Sequence, residues 1–114
     1  MARASSSTPA RPRRVAPAHP GEGIGQIIED VGLSVREAAR RMRITPMALL
    51  NVINGKNAIT PEMAVRLQAV MLNGEEGAEF WLRLQAAHDL WHARSKLKDE
   101  VKKMEPFPRE PKAG

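Results

Sequence analysis

Residues 33–55 read LSVREAARRMRITPMALLNVING, and the punctuation inside this stretch decides the fold. Ser34 is an N-cap residue with Glu37 three positions on, the spacing of a capping box. Thr45 is a second N-cap, and Pro46 falls at the first helical position, where a missing N–H costs nothing. Asn54-Gly55 is a C-terminal stop. The reading is two short helices, 35–42 and 46–54, with only Arg43 and Ile44 left between Met42 and Thr45 to make the turn.

Two helices this short and this tightly joined have the form of a helix-turn-helix, whose second helix enters the major groove of DNA. Ala39 supplies the small residue needed where the two helices cross, Leu49 and Val52 face inward, and Ile53 closes against the body of the domain. Thr45, Pro46, Met47, Leu50, Asn51 and Asn54 are then left outward as candidates for base readout. An Asn pairs bidentately with an adenine edge, and Met47 and Leu50 suit thymine methyl groups. Ser34, Arg36, Arg40, Arg43, Lys56 and Asn57 are the candidates for phosphate contacts, which position rather than specify. Two features are unusual. The turn needs a left-handed backbone for which Gly is the cheap choice, and Arg43 there costs roughly 1 kcal/mol. The outward face of the second helix also lacks the Arg or Gln that often read bases. The plainer alternative is a helical hairpin in a small bundle.

Working outward, Ile24, Ile27, Ile28 and Val31 recur at i, i+3, i+4, i+7 and mark a helix over 21–31, weak by propensity because of Gly23 and Gly25. Thr60-Pro61-Glu62 repeats the cap-then-proline start and opens a fourth helix to about residue 72, with Met63, Ala64, Leu67, Val70 and Met71 as its core face. Asn73-Gly74 stops it. A long fifth helix runs over about 76–98, fraying toward 103, before Pro106, Pro108 and Pro111 forbid more. Residues 1–18 carry Arg3, Arg11, Arg13 and Arg14 without an acid, and read as a disordered basic arm. Three prolines there argue against an amphipathic transit helix, and no apolar segment suits a signal peptide. The division is therefore an arm at 1–18, a folded domain at 19–104 and a Pro-rich disordered tail at 105–114. The class is all-α, with no strand pattern.

Composition narrows the partners. The formal charge is +5 and the pI about 10.2, a balance that favours polyanions, nucleic acid first. There is no cysteine, so no disulfide and no thiolate chemistry, as in a reducing cytoplasm. No apolar run is long enough to span a bilayer. No nucleophile elbow, phosphate-binding loop or paired-carboxylate site is present, so the residues make no catalytic case.

The fifth helix carries two apolar stripes where a surface helix has one. Phe80, Leu84, Ala87 and Trp91 form the first; Leu82, Ala86, Leu90, Ala93 and Leu97 form the second. In so small a domain the second marks a dimer interface, with Trp81 on its flank as an anchor for the partner chain. A wide core-facing arc is the plainer alternative. His88 and His92 stand at the i, i+4 spacing of a zinc pair, but the intervening acid is Asp89 and the only other histidine is His19, so surface or interface histidines are the simpler account and no metal or cofactor is expected.

HPGEGIGQIIEDVGLSVREAARRM at 19–42, LLNVINGKNAITPEMAVRL at 49–67 and AEFWLRLQAAHDLWHAR at 78–94 together resemble the HigA-type antitoxins of bacterial toxin–antitoxin systems. The likeness covers about His19 to Leu97. It implies a five-helix lambda-repressor-like domain, a homodimer, and binding to double-stranded DNA at a palindromic operator in its own promoter. It also implies a HigB-type toxin, a small ribosome-dependent mRNA endonuclease held inactive by the antitoxin, and a bacterial cytoplasmic location, on the nucleoid when DNA-bound. Arg43 in place of the usual turn Gly, and apolar Met47 and Leu50 on the outward face, are departures from the pattern. A free-standing transcriptional regulator without a toxin, and a helical interaction module with a His-pair metal site, are the alternatives.

Overall fold

The computed structural model describes residues 15–71 and 77–109. Among them are six helices and no strand: α1 (Pro20–Asp30), α2 (Val35–Met42), α3 (Pro46–Ile53), α4 (Pro61–Val70), α5 (Ala78–Lys96) and α6 (Lys98–Lys102). Helices α2, α3 and α4 start where the sequence punctuates them, and α1 starts at Pro20, one residue before the expected position 21. The Ser34 hydroxyl accepts from the Glu37 N–H, Thr45 from Ala48 and Thr60 from Met63, each at 3.1 Å. His19 caps α1 with its imidazole, Nδ1 accepting the Gly21 N–H at 2.9 Å. Only half of the capping box forms: the Glu37 carboxylate turns instead to Arg40 and Arg41, because two guanidiniums one turn on outbid a backbone amide for a charged acceptor.

Helices α1, α2 and α3 end in one and the same turn. At each a left-handed residue follows the helix, directly at Arg43 (φ 62°) after α2 and one residue further on at Gly32 (φ 78°) and Gly55 (φ 77°), past Val31 and Asn54, after α1 and α3. The N–H of the next residue reaches back five positions, Leu33 to Ile28, Ile44 to Ala39 and Lys56 to Asn51. This is the Schellman closure, which satisfies carbonyls that the helix leaves open.

The core is Ile24 and Ile28 of α1, Ala38, Ala39 and Met42 of α2, Leu49 and Val52 of α3, Ile59, Ala64 and Leu67 at and in α4, and Trp81 of α5. Helix α3 lies against α1 and α2, and α5 against α1 and α4. The inward set expected for the helix-turn-helix, Ala39, Leu49 and Val52, is buried, and Ile53 packs partly against it. In α1 only two of the four periodic residues are buried; Ile27 and Val31 stay at the surface. Gly21 explains how a glycine-rich α1 packs: a Cβ there would lie 1.9 Å from the Val52 carbonyl oxygen. The helix backbone therefore sits on the end of α3 at a distance only glycine allows.

Helix α5 corrects the expected register. Its buried line is Trp81 and Gln85, between the two apolar stripes rather than on either. Trp81 is 4% exposed and belongs to the core, stacked edge-on to Phe80 at 5.3 Å, so it is not a surface anchor for a partner chain. Leu82 is half-buried against that core. The remaining residues of the second stripe, Ala86, Leu90, Ala93 and Leu97, are exposed. The reason is polar. Gln85 Oε1 accepts the Ile59 N–H at 2.8 Å, in the loop before α4, and Gln85 Nε2 donates to Asp89. Without an amide there, the Ile59 N–H would be buried unpaired, at a cost of about 1–3 kcal/mol. The long helix also breaks once, at Leu97 (φ −97°, ψ 9°), before the single turn of α6. From Met104 to Arg109 the tail is non-helical and exposed. No helix among the described residues is long and apolar enough to cross a membrane.

Candidate nucleic-acid interface

The caps and closures above put α3 on the surface with its apolar side inward and its amino end free. Met47 is 62% and Leu50 36% exposed. Thr45, Pro46 and Asn54 are exposed, and Asn51 is half-buried. The six residues expected to read bases thus share the open side of one helix. Two already have backbone duties: the Thr45 hydroxyl caps α3, and the Asn51 carbonyl accepts from the Lys56 and Asn57 N–H groups at 2.8 and 3.1 Å. The Asn51 side chain is not tied up by that pair.

The cations flank this helix. Arg36, Arg40, Arg43, Lys56 and Asn57 are exposed, and so is Ser34, whose hydroxyl serves the α2 cap. Arg40 is not a free charge. Its Nη2 lies 2.6 Å from Glu37 Oε2, and Arg41 Nε lies 2.8 Å from the same oxygen. Hydrogen bonds from these two guanidiniums hold the Glu37 carboxyl down at about 2, so it stays charged at any physiological pH. The pair and its carboxylate leave one net positive charge on the exposed face of α2. Arg43 itself occupies the left-handed position (φ 62°, ψ 43°), with its side chain at the surface.

Three polar residues that the sequence did not single out organise this face. Arg66 of α4 donates from Nη1 to the Met42 carbonyl at 2.8 Å and to the Arg43 carbonyl at 3.4 Å, while its Nη2 meets Glu62 Oε2 at 3.0 Å. Gln85 ties the loop after α3 to α5. Gln68 accepts the Ala78 N–H and so ties the start of α5 to α4. The i, i+4 spacing of Glu62 and Arg66 was a visible signal; the carbonyls across the turn were not.

The histidines do come together. His19 and His88 have ring centroids 5.0 Å apart, and His88 and His92 4.6 Å apart. The capping role takes His19 out of a metal site. His19 Nδ1 is already an acceptor for the Gly21 N–H, so a neutral His19 carries its proton on Nε2 and has no second lone pair to give a metal. Among the described residues no three His or acidic side chains are arranged to hold a metal ion. Burial and the neighbouring His88 keep the His19 pKa below its usual value.

A helix-turn-helix family model matches residues 24–71, from α1 to the end of α4. Virulence-associated protein A' of Dichelobacter nodosus is 37% identical over 86 residues, spanning 75% of this chain and 73% of that protein. Antitoxin HigA-1 of Vibrio cholerae serotype O1 is 32% identical over 82 residues, 72% of this chain and 74% of that protein. The chain belongs to the HigA-type helix-turn-helix antitoxin family. An addiction module antidote protein of the HigA family from Coxiella burnetii has the same fold, with a TM-score of 0.72 and 29% identity over 82% of this chain and all of that one. The helix-turn-helix match takes in the whole α2–α3 unit. The arginines of the arm, Arg3, Arg11, Arg13 and Arg14, lie outside the described residues, as do Asn73-Gly74 and the end of the tail.

Proposed function

We propose that this protein is the antitoxin of a type II toxin–antitoxin pair. As a homodimer it binds a palindromic operator and represses its own operon, and it holds a HigB-type mRNA endonuclease inactive. The observation that carries the DNA half of this reading is the open face of α3. Met47 and Leu50 are exposed on the same short helix as half-buried Asn51, and Arg36 on α2, Arg43 in the turn before α3 and Lys56 in the loop after it are exposed as well. Apolar and amide groups read base edges, and the cations around them take phosphates. Thr45, Pro46 and Asn54 border the same face; Ser34, Arg40 and Asn57 complete the phosphate set.

The dimer is proposed to form on the exposed stripe of α5, Ala86, Leu90, Ala93 and Leu97, of which Leu90 is 47% and Leu97 41% exposed. A two-fold axis there would set two α3 helices about 34–36 Å apart, one turn of DNA. A bacterial cytoplasmic site of action, on the nucleoid when DNA-bound, follows from this role, as does the absence of a cofactor. The toxin half rests on family membership. One experiment tests both halves. The chain is co-expressed with the product of the neighbouring gene, and the purified material is titrated against the promoter fragment and random DNA. Co-purification with loss of RNA cleavage supports the antitoxin. Promoter binding by a protein that captures no neighbour points instead to a free-standing regulator. No preference for the promoter overturns the DNA reading. Asn51→Ala is expected to weaken the promoter complex by about 1–3 kcal/mol and random DNA far less.

A further inference from the structure

We propose that Arg66, on α4 and outside the set of candidate DNA contacts, is the residue that sets the direction of α3, and hence the sequence specificity of binding. This rests on the DNA-binding role argued above. Arg43 is the only non-glycine residue at positive φ among the described residues. The turns at Gly32 and Gly55 have the same closure with a residue that adopts the left-handed region freely. Arg43 does not adopt it freely, so the turn between α2 and α3 needs an added restraint to keep one conformation.

Arg66 is placed to supply it. One nitrogen of its guanidinium spans the Met42 and Arg43 carbonyls, the last of α2 and the one that leads into α3. Glu62, one turn earlier on α4, fixes the plane of the fork through the other nitrogen. Helix α4 is itself immobilised by fully buried Ala64 and Leu67, which flank Arg66 in sequence. The donor is a cation, and it sits at the negative end of the α2 dipole, where a charge-assisted bond is strongest. The chain thus runs from a rigid α4, through a planar two-carbonyl clamp, to the strained turn that aims α3. Reading bases requires α3 in one orientation in the groove; phosphate attraction tolerates many.

The test compares operator and random DNA by fluorescence anisotropy for the full-length wild type, Arg66→Met, Glu62→Gln, Arg43→Gly and the Arg66→Met/Arg43→Gly double variant. Amide hydrogen exchange at Arg43 and Ile44 is followed in parallel, without DNA. Arg66→Met is expected to lose about ten-fold or more in operator affinity, with random DNA changed less than about two-fold. Exchange at Arg43 and Ile44 accelerates, and Glu62→Gln shows the same pattern more weakly. In the Arg43→Gly background the same Arg66 change has little effect on either readout, because glycine holds the turn without a clamp. Equal losses on both DNAs would make Arg66 an ordinary phosphate contact and overturn the proposal. So would unchanged exchange at the turn, or an undiminished Arg66 effect beside glycine. If the wild type shows no operator preference, the DNA reading fails, while the exchange data still decide whether Arg66 holds the turn.

Discussion

Helices α2 and α3 end in the same backbone closure, yet the two ends are held by opposite means. At the end of α2 the left-handed residue is Arg43, its surroundings are open, and a guanidinium from α4 grips the carbonyls. At the end of α3 the left-handed residue is Gly55, the His19 ring lies at ordinary contact distance, 3.6 Å from where a Cβ would be, and Gly21 presses on the Val52 carbonyl, where a Cβ would lie only 1.9 Å from the oxygen. One end is fixed by polar attraction and the other by close packing. The difference teaches what each will tolerate. A polar clamp accepts a smaller residue in the turn. The packed joint accepts no Cβ at Gly21.

The largest expected effect falls on the packed side. Gly21→Ala puts a methyl 1.9 Å from a backbone oxygen, so α1 and α3 must separate. A loss of about 3 kcal/mol in urea unfolding is expected, the upper end for overpacking. A loss below about 1 kcal/mol would show that this joint yields and would erase the contrast. Next is Gly55→Ala, where the space is adequate but the φ of 77° is not, for about 1–2 kcal/mol. On the clamped side the sign reverses. Arg43→Gly removes the strain but adds freedom to the unfolded chain, for a net gain of up to about 0.5 kcal/mol. The same change lowers DNA affinity at low salt and flattens its salt dependence, if Arg43 touches phosphate. A destabilised Arg43→Gly would mean that the arginine side chain, not its backbone, holds the turn.

Acid sharpens the comparison with the smallest effect. His19 must be unprotonated at Nδ1 to cap α1, and burial beside His88 lowers its pKa in the fold, with Asp89 and Glu22 opposing. A histidine with a lowered folded pKa binds more protons when unfolded. Its contribution is intact above about pH 6.5 and is lost as the pH falls through the lower folded value. Glu37 behaves differently: its contribution holds above the ordinary carboxyl value and is lost only as the pH falls toward about 2. Unfolding measured at pH 7.5 and 5.5 should therefore show a loss from the α3 side alone. His19→Asn, which keeps a capping acceptor, should reduce that loss. An undiminished pH dependence would place the titrating group elsewhere.

Much of the site was legible because helix signals are local. Ser34, Thr45 and Thr60 cap within three residues, and the Thr45-Pro46 start aims Met47, Leu50 and Asn51 outward by periodicity alone. Arg43 in the left-handed turn was equally readable, since a two-residue connection leaves the backbone little choice. The buried side of α5 was not readable. Hydropathy ranks Gln85 as a surface residue and leaves Trp81 on a flank, and nothing in the helix says that an amide is wanted at Ile59.

The sequence by itself determined three capped helices, the basic face, the helix-turn-helix and the family, because each depends on patterns that repeat within a turn or two of chain. Tertiary structure alone decided that Arg66 closes the turn after α2, that His19 covers the end of α3, and that Gln85 rather than an apolar neighbour faces inward. In each case a backbone group or a packed surface is matched by a side chain distant in sequence. Which side chain answers it depends on where the folded chain returns, and residue type and spacing do not encode that.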